Sequence, residues 1–216
     1  MKLFLISAWV VIVLTLAQKV NGAYRADQPW STPLINAVFK NDENLVKRLL
    51  ANGANASATT GSGYTALMYA AKEGKEKMVE LLVTKAADAK ASTNYEGKTA
   101  LMYAARYGNK KMVELLLPKS DAKAFNQKGL TALMYAAQCG NKDLLELLLP
   151  KSNANAFDKQ GYTALMYAVF YDDLQMVKIL LPKLDVKATD SKGNSVLDLA
   201  KSFGNSEIVS LLQQHN

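Results

Sequence analysis

Histidine and cysteine are almost missing from this chain, which has one of each, His215 and Cys139. His215 sits in the polar stretch Gln213 to Asn216. A Ser-His-Asp triad, a Cys-His pair or a histidine metal site needs an imidazole held by packed neighbours, and none is offered here. One cysteine allows no intrachain disulfide, so stability has to come from packing. Arginine is scarce as well, occurring only at Arg25, Arg48 and Arg106 among 26 basic residues. The others are lysines spread along the chain, whereas nucleic-acid readers gather their cations into one stripe. Nucleic acid is therefore not an expected partner. The formal charge of +7 is read as solubility or as attraction to an acidic partner or an anionic surface.

Long apolar runs are absent with one exception, Leu3 to Ala17, preceded by Lys2 and followed by Gln18 and Lys19. That order matches a secretory signal peptide, and the run is shorter than the roughly 20 residues a membrane-spanning helix needs. Val20 and Gly22 supply small residues before a cut at Ala23. Residues 1–22 are thus expected to be a cleaved signal peptide and 23–216 a single domain. Loss of Lys2 and Lys19 lowers the charge from +7 to +5, and no later segment is apolar enough to span a membrane. The expected location is exported, in a periplasm, which suits a lone thiol, with secretion as the alternative. The sequon Asn55-Ala56-Ser57 points to the latter.

What the chain does have is internal repetition. Thr32, Thr65, Thr99, Thr131, Thr163 and Ser195 recur at spacings of 33, 34, 32, 32 and 32 residues. The string Ala66-Leu67-Met68-Tyr69-Ala70-Ala71 returns at 100–105, at 132–137 and, ending in Val169, at 164–169. Each unit reads as two short antiparallel helices. The threonine is placed to cap the first, and Gly74, Gly108, Gly140 and Gly204, with Asn41 in the first unit, mark its left-handed end. The second helix carries apolar residues at i, i+1, i+4 and i+5, as in Met112, Val113, Leu116 and Leu117. Pro118, Pro150 and Pro182 are expected to stop it. Linkers ending in Gly63, Gly97, Gly129, Gly161 and Gly193 lead to the next unit, where glycine suits a positive-φ turn. A stripe this narrow cannot be buried within one unit, so neighbours must stack into a continuous core.

These units resemble ankyrin repeats. Gly63-Tyr64-Thr65-Ala66-Leu67-Met68-Tyr69-Ala70-Ala71 and its copies follow the family's Gly-x-Thr-Pro-Leu-His-x-Ala-Ala, and Leu49 to Asn55 carries its closing Leu-Leu-x-x-Gly-Ala-Asn. The resemblance covers residues 27 to 216, with units starting near 27, 60, 94, 126, 158 and 190, and implies an all-α solenoid. There are departures. Methionine replaces the family's histidine at 68, 102, 134 and 166, which removes a side-chain hydrogen bond between repeats and leaves packing to join them. Units three to five run one residue short where the family has Gly-Ala. The last unit has Ser195, Val196 and Asp198 at motif positions and a polar end, as a solenoid cap needs.

Catalytic and metal-site readings are outweighed by plain ones. Gly97-Lys98-Thr99 looks like the end of a phosphate-binding loop, but Ser92 stands where that loop needs glycine. Asp172-Asp173 precedes a second helix, where acids favour its dipole. Met68, Met102, Met134 and Met166 recur where core packing is expected, and Tyr69, Tyr103, Tyr135 and Tyr167 belong to the same scaffold. No catalytic residue, cofactor or metal is expected, and the chain is read as a non-enzyme.

In proteins that resemble this one, partners are held on the concave face by the linker tips and the exposed side of the first helix. Carried over position by position, the resemblance implies contacts at Tyr64, Lys72, Tyr95, Lys98, Arg106, Tyr107 and Lys128. It further implies Leu130, Gln138, Lys159, Tyr162, Phe170, Tyr171 and Phe203. Aromatics and arginine dominate interface energetics, so a surface of tyrosines and phenylalanines between lysines favours binding. Phe125 and Phe157 lie in the linkers and are expected to pack against an adjacent hairpin. The function expected is an exported scaffold, monomeric on its own, that binds a protein. An exported, envelope-acting enzyme is one partner, inhibited or shielded against by occupation alone. A structural or adhesive envelope protein and an effector delivered to another cell remain alternatives.

Overall fold

The computed structural model of the protein describes residues 32–85 and 87–215. The expected signal peptide, the cut at Ala23 and the start of the first unit lie outside them. Among the described residues twelve α-helices pair off in sequence: α1 (Pro33–Phe39) with α2 (Glu43–Ala51), α3 (Ala66–Lys72) with α4 (Glu76–Thr84), and α5 (Ala100–Arg106) with α6 (Lys110–Leu116). Then come α7 (Ala132–Gln138) with α8 (Lys142–Leu148), α9 (Ala164–Phe170) with α10 (Leu174–Leu180), and α11 (Val196–Phe203) with α12 (Ser206–Gln213). Among the described residues there is no strand beyond isolated bridges.

Helices of seven residues are too short to be stable alone, so their ends matter. The six first helices begin alike: Thr32, Thr65, Thr99, Thr131, Thr163 and Ser195 each accept the backbone N–H three residues on, at 3.1 to 3.3 Å. After them the backbone turns left-handed at Asn41, Gly74, Gly108, Gly140, Asp172 and Gly204. Asp172, with φ of 58°, differs from expectation. Only Asp173 serves the second helix, accepting from the Met176 N–H at 3.0 Å, while Asp172 occupies the glycine's place.

The second helices are capped by Asp42, Asn109, Asn141, Asp173 and Asn205. Lys75 breaks the series, since its side chain cannot accept. Its Nζ instead donates to the carbonyls of Val38 at 2.9 Å and Phe39 at 2.6 Å, at the end of α1, a favourable place for a cation. Burial there lowers its pKa. The α-helices end at Leu116, Leu148 and Leu180, ahead of the prolines as expected, and a short 3-10 turn follows. Pro118, Pro150 and Pro182 each sit at the middle of a 3-10 turn that prolongs the helix before them, where the missing N–H breaks no bond.

First helices pack on first helices and second on second along the whole series. One core results, running from Leu34 to Leu212. The stripes of α4, α8 and α10 are buried in full, and α6 buries Met112, Val113 and Leu116. Met68, Met102, Met134 and Met166 are buried, as expected of packing at the histidine position. The linkers form hairpins, each closed by a bridge such as Phe125 to Thr131. Backbone bonds stitch successive tips together: Asn94 N–H to Ser62 O, Gln127 to Glu96, Lys159 to Lys128 and Ser191 to Gln160, at 2.8 to 3.0 Å.

Candidate protein-binding face

The candidate face is built from two rows, the hairpin tips and the ends of the first helices. Each hairpin folds around one buried polar residue: Thr60, Thr93, Asn126, Asp158 or Asp190. Asp158 shows the device. Its Oδ1 accepts the N–H groups of Gln160 and Tyr162 at 2.9 Å, while Oδ2 accepts from the Tyr167 hydroxyl at 2.5 Å. Asn126 does likewise, accepting from Lys128 and Leu130 and donating from Nδ2 to the Tyr135 hydroxyl at 3.0 Å. Tyrosines 135 and 167 therefore peg each hairpin to its own first helix, so the tips are presented rigidly. Burial raises the pKa of both phenols, and Asp158 adds to the rise at Tyr167.

Three groupings follow along the face. At one end Tyr64 lies 5.1 Å from the Tyr69 ring and 5.9 Å from Tyr103, and the Tyr64 and Tyr103 hydroxyls share a hydrogen bond of 2.5 Å. Burial and this bond raise the Tyr103 pKa far above the ordinary phenol value. Lys98 lies 5.8 Å over the Tyr103 ring. In the middle a cleft of about 370 Å³ opens between the third and fourth units, with Tyr95, Lys98, Arg106, Lys128, Gln138 and Tyr171 on its walls. At the other end Phe170 stands edge-on to Tyr162, Tyr171 and Phe203, at 6.5, 5.2 and 5.4 Å between ring centres.

The family model described as "Ankyrin repeats (3 copies)" matches residues 34–126, 119–190 and 151–216. The chain belongs to the ankyrin-repeat family. Comparison with curated proteins gives no match. Ankyrin repeats are protein-binding scaffolds, typically without catalytic activity, and this chain carries that scaffold.

Most residues carried over from the ankyrin pattern do reach the surface. Tyr95, Arg106, Tyr107, Lys128, Lys159, Phe170, Tyr171 and Phe203 are exposed, and Tyr64, Lys72, Lys98, Gln138 and Tyr162 are half-buried. Leu130 is a correction in part. It is buried at 9 % exposure, its backbone closing the hairpin on Asn126, and what it still shows lines the cleft. Lys72 and Tyr107 lie outside the cleft. Lys159 lines a different hollow, together with Phe125 and Phe157.

Those two phenylalanines are a second correction, since they are 72 % and 69 % exposed where packing was expected. A signal for this was present: Thr59, Ser92 and Thr189 hold the same bridge position, so the repeat does not require an aromatic there. Arg106 above the Tyr135 ring, 5.7 Å from its centre, joins two units and was not legible from either alone. Cys139 is exposed. Its Sγ donates to the Arg106 carbonyl, and partial desolvation raises its pKa against the lowering effect of Arg106, which disfavours the thiolate. No helix among the described residues is long and apolar enough to cross a membrane, and no three of their His, Cys, Asp or Glu side chains are grouped to hold a metal.

Proposed function

We propose that this ankyrin-repeat chain is an exported scaffold that holds one protein partner on its hairpin and first-helix face. Its effect comes from occupation, inhibiting or shielding against an exported enzyme that acts on the cell envelope. Binding is its role and catalysis is not. The observation that carries the reading is where the exposed aromatics fall. Tyr95, Tyr107, Phe170, Tyr171 and Phe203 are exposed at positions where the units differ, while the strings that build the core are copied almost unchanged. Aromatic side chains left in water cost free energy that a partner relieves, and clustered ones serve as anchors. The apolar run Leu3 to Ala17 supports export. The lysines between the aromatics suit a cleft with acidic edges, where they steer approach.

Capture with the tagged chain from its own cells tests this, read by mass spectrometry and followed by assay of the captured partner. An exported enzyme whose activity falls when the chain is present in saturating amount supports the reading. A partner without activity, or with activity unchanged by the chain, defeats the inhibitor. An intact mass of the chain that still includes Met1 to Gly22 defeats cleavage.

A further inference from the structure

The cleft in the middle of the face has a charge that its own fold leaves unanswered. Arg106 closes α5, and its guanidinium rests over Tyr135 of the next unit, 5.7 Å from the ring centre. Tyr135 is itself fixed by Asn126, so the exposed cation is held over the ring at the cleft. Among the described residues no carboxylate lies within ion-pair distance of Arg106 or of Lys128, which also lines the cleft. The one acid lining the cleft, Glu96, is already joined to Lys98 at 3.1 Å. Two cations therefore remain unmatched. The repeat does not demand arginine at this place, since Lys72, Gln138, Phe170 and Ser202 hold it in other units.

We infer that the cleft seats a side-chain carboxylate, so that the partner enters this face with an extended acidic segment. This inference rests on the reading that the face binds protein, and it specifies what that protein offers. The guanidinium also hydrogen-bonds the Tyr135 hydroxyl, but it carries five N–H donors, and those left over form a fork that matches the two oxygens of Asp or Glu. Tyr95 and Tyr171 border the cleft and offer apolar surface to the residues beside the acid. The volume of about 370 Å³ has room for the acid and part of a neighbour. A basic segment would face Arg106 and Lys128 with like charge.

The test is to pan random peptides, displayed on phage and fused through their C-termini so that every carboxylate recovered is a side chain, against the full chain. Recovered peptides are expected to carry Asp or Glu at a fixed position. They should bind Arg106→Met at least about tenfold more weakly and Arg106→Lys in between, with both variants unchanged in Tm. Raising salt from about 50 to about 300 mM should weaken binding to the parent chain more than to Arg106→Met. Peptides that lose affinity for Phe170→Ala/Phe203→Ala but bind Arg106→Met as tightly as the parent overturn the carboxylate while leaving the binding face intact. Peptides indifferent to both sets of changes, or no enrichment at all, overturn both.

Discussion

Two leucines and two tyrosines separate the residues that hold this molecule together from those it presents. Leu116 and Leu148 are fully buried in the shared core, so replacing either with Ala removes contacts that neighbouring units cannot restore. A loss of about 2–5 kcal/mol in denaturant unfolding is expected, and a change below about 0.5 kcal/mol would mean the side chain is not enclosed. Tyr107 and Tyr171, in contrast, are each 53 % exposed, and their truncation should leave unfolding nearly untouched. Glycines divide in the same manner. Gly129 and Gly193 share a φ of 83°, but a Cβ on Gly129 would meet the Asp158 Cα at 2.7 Å, whereas nothing lies within 4 Å of one on Gly193. Gly193→Ala bears backbone strain alone, about 1 kcal/mol. Gly129→Ala also forces apart two hairpins joined by the Lys159 N–H to Lys128 O bond. Chemical denaturation should place it at least about 1 kcal/mol below Gly193→Ala.

Among the elements, α11 is fastened by a capping box that the other first helices lack. Asp198 Oδ2 accepts from both the N–H and the hydroxyl of Ser195, at 2.9 and 2.6 Å, and Ser195 accepts in return. These bonds hold the Asp198 pKa below its ordinary value. The cap is therefore at full strength above the pKa of the unfolded chain's carboxyl and is lost as pH falls through the lower folded value. Protection factors along α11, corrected for the intrinsic pH dependence of amide exchange, should fall across that acid range in the parent chain, and Asp198→Asn should remove this fall. Equal acid sensitivity in both would place its origin elsewhere. The first helices were legible because each cap and each repeated string is local. Asp172 was not, for an acid before a helix reads as a dipole partner until its φ of 58° is seen. Nor was the reach of Lys75 to α1, which spans two units.

Over the whole molecule, stacking of units predicts the core, because a copied sequence must bury the same positions each time. The face is less readable, since exposure there depends on which way each hairpin residue turns. Leu130 and Tyr95 both lie in linkers, yet Asn126 turns one inward while the other stands 74 % exposed. The face is proposed to bind protein through aromatics the fold does not need. Comparing the parent chain with the double variant Tyr107→Ala/Tyr171→Ala, for affinity toward the captured partner and for Tm, tests that claim most directly. Binding weakened by more than about 2 kcal/mol with Tm nearly unchanged is the expected result. Affinity equal to that of the parent chain would contradict it.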